Sequence, residues 1–438
     1  MKAKHTLVTV FALAAIVGFF PASARADAVT DWNTVLGDAQ KASGQMSSGQ
    51  SRSGAIVHAA IFDAINGIAR KYSPYFVDTD GAPNGADAVA AGVQAAYTTC
   101  LSLYPAQAAL FDAQLATSLA GLSGTAASVN AGRAWGESVA QQILAWRSTD
   151  GLKNVFTYLG TPTQPGVWRT AGGVISGVNV NLATMVPFTM TSPAQFRLPP
   201  PYGSTERLTA IRSAAYAADV NEARAYGGAD LATTLRTPEQ AEISKFWNAI
   251  SVADQNRVLR ELVPPSAQLV DNARLFALCN LAAGDASIAM YDTKYAYALW
   301  RPIDAIRLAD TDSNAATEPD PTWNSLLPTP RHPEYPSAST TLSSAMFGAA
   351  ALLLGDEHTF TLSTPGYPSV TRDFTSFTAA AAESAEARIW IGFHFRSSCE
   401  EGLAAGYSIA LNAVENLMRP GNRGMSDEHR PWHGGPNW

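Results

Sequence analysis

The chain has 438 residues, and 47% of them are hydrophobic, which is enough for a sizeable core in one large domain or two smaller ones. The formal net charge is −7, and no run of lysine or arginine is present. This charge balance argues against nucleic acid as a partner.

Residues 1–26 are predicted to be a signal peptide and not part of the fold. Two lysines form a positive start, an apolar run of secretory length follows, and Ala24-Arg25-Ala26 is a small-x-small cleavage site. The apolar run is short for a membrane span, so an uncleaved anchor is the weaker alternative. We therefore expect a product that is secreted or periplasmic after cleavage near Ala26, with no membrane partner.

The rest of the chain is predicted to be all-α, with two packed helical bundles and long irregular connections. Apolar residues recur at helical spacing, alanine is frequent, and strand-like alternation is scarce. We assign residues 27–266 to an N-terminal helical bundle region and residues 267–438 to a C-terminal helical bundle. The segments 152–202 and 309–336 are predicted to be irregular. Helical periodicity is found at 53–69, 85–104, 106–122, 130–147, 207–226, 237–251, 267–308, 337–354, 376–393 and 399–418.

Several residues with reactive side chains are interpreted as structural. Cys100, Cys279 and Cys399 allow at most one intramolecular disulfide and fit no zinc or iron–sulfur spacing, so we interpret them as small buried side chains. His58 and Asp63 are five residues apart in a helical pattern and do not share a face closely. We interpret both as buried structural polar groups.

The stretch KYAYALWRPIDAIR carries cations in a mostly apolar and aromatic helical pattern. Lys294 and Arg301 are seven residues apart, which is about two helical turns, so both side chains would leave one helix on nearly the same face. Two such cations are tolerated if both reach water, if acidic partners neutralise them, or if they share an anion.

Two further stretches carry polar residues of interest. In HPEYPSAST, Ser337 precedes an alanine- and leucine-rich helix and is a candidate N-cap, at a helix end that favours anions. In ARIWIGFHFRSSCEEG, Arg388 and His394 are six residues apart, which is not a one-face spacing. A helix end or distortion near Gly392 would help them to converge. Taken singly, each stretch also has an ordinary explanation as a cap, a structural histidine or solvent-exposed cations.

Together the three stretches resemble a known signature. Lys-x6-Arg-Pro, Pro-Ser-x-x and Arg-x5-His is similar to the oxyanion-binding motif of the vanadium-dependent haloperoxidases and the related type 2 phosphatidic acid phosphatases. SRSGAIVHAAIFDAINGI, LRTPEQAEISKFW and ARLFALCNLAAGDASIAMYDTKYAYALWRP resemble the secreted bacterial branch of the haloperoxidase group. The resemblance covers nearly all of the chain after the signal peptide, and it implies that Lys294 and Arg301 share an anion.

The resemblance also implies the roles of the site residues. Vanadate is the implied cofactor, phosphate can occupy the same site, and halide and hydrogen peroxide are the implied partners; a homo-oligomer stays open. His394 would be the metal ligand, bonding vanadium in a haloperoxidase or attacking phosphorus in a phosphatase. Five groups would hold the anion: Lys294, Arg301, Arg388, Ser337 and the backbone N–H of Ala338.

One departure from the family concerns the proton-transfer group. The family motif usually reads Pro-Ser-Gly-His, whereas this chain has PSAS at 336–339, so Ser339 stands where the general acid–base histidine is expected. His332 lies on the preceding loop and is a candidate to transfer protons from a different direction. The alternative is that His332 is a surface loop residue.

A second departure concerns the orientation of the metal-binding histidine. The family often has an acidic residue four positions after it, and this chain has Ser398 there. Glu400 and Glu401 are the candidates to compensate.

Three hypotheses follow for the function. The first is vanadate-dependent oxidation of halide by hydrogen peroxide, with bromide favoured over chloride and a slow rate because of Ser339. The second is a phosphomonoesterase with His394 as nucleophile, which is weakened because the leaving group needs an acid. The third is a non-catalytic binder of phosphate or vanadate.

Overall fold

The computed structural model describes residues 27–158, 163–169, 177–264 and 266–421. The predicted signal peptide and the last 17 residues lie outside this range. The described residues form fourteen α-helices and one two-stranded sheet. The prediction of an all-α fold is therefore confirmed, apart from a hairpin that the sequence did not predict.

The helices and strands have the following bounds, in chain order. The first nine helices are α1 (Ala28–Ala42), α2 (Ser47–Ala69), α3 (Ala88–Leu103), α4 (Ala108–Ala120), α5 (Ala126–Arg147), α6 (Arg207–Ile211), α7 (Ala214–Gly227), α8 (Pro238–Ala249) and α9 (Val252–Leu262). The next three are α10 (Leu269–Tyr297), α11 (Pro302–Arg307) and α12 (Ala338–Leu354). An antiparallel hairpin of β1 (Glu357–Ser363) and β2 (Thr371–Ser376) precedes α13 (Phe377–Trp390) and α14 (Arg396–Asn416).

Capping residues explain where the helices differ from the predicted spans. The span 207–226 is divided because Ser213 leaves the helix and its side chain accepts from Tyr216 N, which starts α7. The unpredicted α9 begins with a capping box in which Ser251 and Asp254 bond each other's backbone N–H groups. These local hydrogen bonds define more helix ends than the apolar periodicity indicates.

Helix α10 lies at the centre of the molecule. It packs against α2 from the N-terminal part of the chain and against α12 and α14 from the C-terminal part. Every residue from Leu275 to Lys294 is buried, as expected for a helix with neighbours on all sides. No helix in the described part of the chain has the length and apolarity of a membrane span.

The residues interpreted as structural are indeed buried and hydrogen-bonded. His58 Nε2 accepts from Asn33 Nδ2 at 2.8 Å, and the His58 ring stacks on Phe276. Asp63 accepts from the backbone N–H groups of residues 75–77. The three cysteines are buried and free: Cys100, Cys279 and Cys399.

Candidate anion-binding site

Lys294 and Arg301 meet across a break between two helices. Helix α10 ends at Tyr297 because Ala298 adopts a left-handed conformation with φ of 48°, and Arg301 is the N-cap of α11, which Pro302 opens. The expectation that one helical face carries both cations is therefore wrong. Both side chains instead turn to the same segment, the HPEYPS loop (332–337), which leads into α12.

Lys294 holds this loop through its backbone. Its Nζ donates to the carbonyl oxygens of Pro333 and Glu334, both at 2.9 Å, and to that of Pro336. Burial lowers the pKa of Lys294 well below its usual value, and the nearby Arg301 adds to this. Three acceptors around one nitrogen nevertheless require three N–H donors, which only the ammonium form provides. We therefore treat Lys294 as charged.

Arg301 joins the loop to the segment that carries His394. Its Nε donates to His332 O at 2.9 Å, and its Nη1 donates to Phe393 O at 2.7 Å and to His394 Nε2 at 3.1 Å. Its Nη2 lies 3.0 Å from Nδ1 of the His332 ring. Burial lowers the pKa of Arg301 to about 10, so the guanidinium stays charged at neutral pH. The side chain is thus fixed by both segments.

A sharp turn places His394 beside Arg301. Helix α13 ends at Trp390, and Gly392 follows with φ of 79°, a conformation that favours glycine. The prediction of a helix end near Gly392 is confirmed. Burial is the main cause that lowers the pKa of His394 well below its usual value, and the charges of Arg301, Lys294 and Arg388 lower it further. His394 is therefore neutral.

Glu334 is the site residue that the sequence analysis missed. Its fully buried carboxylate accepts from His394 Nδ1 at 2.9 Å, from Phe395 N at 3.0 Å and from Ser398 Oγ at 2.5 Å. Glu400 is exposed, and neither it nor Glu401 makes this contact. The expectation that one of those two compensates is wrong. Glu334 lies within HPEYPSAST, but spacing alone cannot show a contact across 60 residues.

Arg388 is buried with few partners. Its Nη1 is 3.4 Å from Asn248 Oδ1, and its Nε has no hydrogen-bond partner. The guanidinium lies 4.9 Å from the centre of the Phe393 ring. Burial lowers the pKa of Arg388 to about 10, which leaves it charged at neutral pH. A buried cation with an unused donor is costly unless an anion compensates it.

The N-terminus of α12 borders the site. Ser337 is buried as its N-cap, with its Oγ 2.8 Å from Thr340 Oγ1 and its N–H donating to Ser398 O at 2.9 Å. Ala338 and Ser339 follow in the first turn and are partly exposed. The predicted contacts of Ser337 and of the Ala338 N–H with an anion stay a prediction.

His332 is buried beside the cations. It is 7% exposed, and its ring lies edge-on to Tyr291 with the ring centres 5.6 Å apart. The alternative that His332 is a surface loop residue is wrong. Burial lowers the pKa of His332 well below its usual value, and Arg301 and Lys294 lower it further, so this ring is also neutral.

The charges of this cluster do not balance. Lys294, Arg301 and Arg388 are buried cations, and Glu334 is the carboxylate that hydrogen-bonds within the cluster among the described residues. Burial raises the pKa of Glu334 to about 7, so three cations and this carboxyl group leave an excess of at least two positive charges near neutral pH. Such a cluster fits a multiply charged oxyanion such as vanadate or phosphate, and His394 Nε2 offers a lone pair for a covalent bond to its central atom.

Comparisons with known proteins find similarity to vanadium-dependent peroxidases. Residues 274–423 match the family of the VCPO second helical-bundle domain. The vanadium chloroperoxidase of Curvularia inaequalis is 30% identical over 169 residues, which are 32% of this chain and 27% of that protein, so the match spans about a quarter of that relative. The family resemblance predicted from the sequence is confirmed.

Solved structures of two bacterial vanadium-dependent peroxidases share the fold. The crystal structure of the first bacterial vanadium-dependent iodoperoxidase has a TM-score of 0.73 and 21% identity, and the similarity covers 91% of this chain and 98% of that one. An apo-type bacterial vanadium-dependent chloroperoxidase has a TM-score of 0.66 and 19% identity, over 84% of this chain and 92% of that one. The helical architecture is therefore common to all three.

Proposed function

We propose, on the premise that residues 274–423 belong to the family of the chloroperoxidase second helical-bundle domain, that this chain is a secreted or periplasmic vanadate-dependent haloperoxidase. It would oxidise halide with hydrogen peroxide, with bromide favoured over chloride. The observation that carries the proposal is the excess of buried positive charge beside a neutral His394 whose Nε2 is an acceptor.

The cations of the cluster differ in what they can contribute to anion binding. Arg388 has an unused Nε donor and can bind an oxyanion directly through its fork of N–H groups. Lys294 already donates to three backbone carbonyl oxygens, so its charge can act on the anion while it keeps these partners. Arg301 would keep its bonds to His332 O and Phe393 O but would have to release His394 Nε2, because that nitrogen has one lone pair. His394 would hold the vanadium atom through Nε2. Vanadate bound there supplies a Lewis acid that activates peroxide towards halide.

Proton transfer is the weak point of this site. A serine hydroxyl does not titrate near neutral pH, so Ser339 cannot take a proton from peroxide as an imidazole does. His332 is the other candidate base, but burial and two neighbouring cations hold its pKa low. A bound anion would offset those cations and raise the basicity of His332. Even so, Ser339 supplies no base at the position of the family histidine, and for this reason we expect the enzyme to be slow.

A phosphomonoesterase is the second candidate function. A neutral His394 with its proton on Nδ1 is also a suitable nucleophile for phosphorus. This function additionally needs an acid for the leaving group, and Ser339 does not provide one. The haloperoxidase therefore remains the first proposal.

One pair of assays separates the candidates. The purified protein is mixed with hydrogen peroxide and bromide, with and without added orthovanadate, and in parallel with an aryl phosphate. Bromination that depends on vanadate and is lost in His394→Ala supports the haloperoxidase. Phosphate release without vanadate-dependent bromination would replace it with the phosphatase. If neither reaction occurs, the proposal of an enzyme is wrong and the chain is an anion binder.

A further inference from the structure

We propose that Glu334 is the positioning residue that keeps the proton of His394 on Nδ1, in place of the acidic residue expected at position 398. This inference deepens the proposed function and rests on it for the role of His394. The residue acts through His394 and need not touch the anion.

The hydrogen bonds around Glu334 leave one arrangement of protons. Phe395 N is a backbone donor to Oε1 of Glu334, so that oxygen is an acceptor. On the other side of the ring, Arg301 has no acceptor atoms, so His394 Nε2 must accept from it. A neutral ring with an unprotonated Nε2 carries its proton on Nδ1, which lies 2.9 Å from the same Glu334 oxygen and donates to it. Both neighbours thus select the tautomer with an unprotonated Nε2, whose lone pair accepts from Arg301 and is the one that would bond vanadium.

Ser398 is compatible with an acidic residue at position 334 instead of position 398. Its hydroxyl donates to Oε2 of Glu334 at 2.5 Å. Ser398 therefore stands where the family often has an acidic residue, and it is a hydrogen-bond donor to the carboxylate of Glu334. An acid at both positions would bury two carboxylates in contact, and their mutual repulsion would disfavour the charged forms. A glutamate at 334 and a serine at 398 are therefore complementary, and each residue explains the presence of the other.

Lys294 fixes the backbone that carries Glu334. Its ammonium donates to the carbonyl oxygen of Glu334 itself and to those of Pro333 and Pro336 on either side. The carboxylate therefore has a fixed origin on the loop as well as three fixed donors. This rigidity is what a positioning residue needs, because a small displacement would release Nδ1 of His394.

The test reads the tautomer of His394 directly. In the vanadate-free protein labelled with ¹⁵N-histidine, and with His394→Asn to assign the signal, we expect Nδ1 to be protonated and Nε2 to be unprotonated. In Glu334→Gln, we expect the Nε2-protonated form to become populated. Isothermal titration with orthovanadate should show affinity reduced about 10–100-fold, the usual effect of removing the partner of a metal-binding histidine. Glu401→Gln is the matched control and should change neither readout.

A second-site exchange completes the test. In Glu334→Gln/Ser398→Asp, the carboxylate stands at the position expected from the family, and we expect at least a tenfold recovery of orthovanadate affinity. If Glu334→Gln does not fold, Ser398→Ala is used, because it removes one donor to Glu334 and should shift the tautomer in the same direction. An unchanged tautomer in Glu334→Gln, or in Ser398→Ala where that variant is used, overturns the inference.

The two proposals can fail separately. If Glu334→Gln shifts the tautomer but the parent protein neither binds orthovanadate nor brominates, the proposed function is wrong and the role of Glu334 stands. If the parent brominates and the tautomer does not respond to Glu334→Gln, the role of Glu334 is wrong and the proposed function stands.

Discussion

Gly392 and Gly227 cross so closely that a Cβ on Gly392 would lie 2.5 Å from the carbonyl oxygen of Gly227. Real Cβ atoms essentially never come under 3.0 Å of such an atom, so one of the two chains would have to move. Gly392 is two residues before His394. The position of the histidine thus depends on a backbone contact that only two glycines permit.

We expect Gly392→Ala to displace His394 and to weaken orthovanadate binding at least tenfold. The φ of 79° at this position disfavours alanine, and the added methyl group would also collide with the carbonyl oxygen of Gly227. The matched control is Gly355→Ala, which has φ of 92° but nothing within 4 Å of the added Cβ. It should lower the unfolding free energy by about 1–3 kcal/mol, the cost of a backbone conformation (φ 92°, ψ 158°) that is essentially restricted to glycine, without changing binding. Titration calorimetry and urea unfolding measure the two effects, and equal binding by both variants would contradict the prediction.

We expect Ser339→His to raise the bromination rate. A positioned general base typically contributes about 10²–10⁴-fold, so an increase within that range is the target. The gain should be larger together with Ala338→Gly, which restores the conformational freedom of the family motif. Orthovanadate affinity should change little because Ser339 carries no charge of the cluster. Steady-state kinetics with bromide and peroxide measures the rate.

A variant Ser339→His that folds, binds vanadate and is no faster than the parent would show that Ser339 is not the missing base. His332→Ala would then be the next variant to test, because the His332 ring is the other imidazole that contacts Arg301. Loss of the remaining bromination in His332→Ala would assign the proton transfer to that residue. Retention of the rate would exclude it.

The sequence predicted the cluster but not the contacts that build it. Lys294, Arg301 and His394 were identified by motif spacing, and the helix end near Gly392 followed from the six-residue spacing of Arg388 and His394. The break after Tyr297 depends on a single left-handed residue, Ala298, which composition does not reveal because alanine favours helices.

Glu334 shows a different limit of sequence reasoning. Its contact with His394 joins two segments 60 residues apart, and only the packing of the HPEYPS loop against the start of α14 brings them together. The family motif has an acidic residue at a fixed offset after the histidine, so the sequence suggests Glu400 and Glu401. In the folded chain, a carboxylate oxygen on a distant segment, that of Glu334, reaches Nδ1 of His394 instead.

Removing Arg388 should weaken anion binding and stabilise the folded protein. We expect Arg388→Met to reduce orthovanadate affinity at least 100-fold, because it removes one of three buried cations. In the absence of anion it should raise the unfolding free energy by about 1–3 kcal/mol, since a buried cation with an unpaired Nε is replaced by an apolar side chain.

Arg236→Met is the contrasting control for Arg388→Met. Arg236 is also buried with an unpaired Nε, but its Nη1 donates to the carbonyl oxygens of Tyr226 and Trp390 near the ends of α7 and α13. Its removal leaves two helix-end carbonyls without this donor and should destabilise the protein. Urea unfolding of both variants measures the difference, and destabilisation by Arg388→Met would contradict the account of its charge.

His58 should make the protein less stable in mild acid. Burial and, to a smaller extent, the charge of Arg260 lower its pKa from 6.5 to about 3. A depressed folded-state pKa stabilises the fold above the unfolded pKa of 6.5, and this contribution is lost as the pH falls from about 6.5 towards 3. Between pH 8 and pH 5.5, the loss amounts to about 1.4 kcal/mol. His58→Gln does not titrate there, so its stability should fall less between these two pH values, by that amount. The contributions of His332 and His394 cancel because both proteins contain them. Urea unfolding of the parent and the variant at the two pH values gives the comparison, and parallel pH profiles would show that His58 is protonated as easily in the folded state as in the unfolded chain.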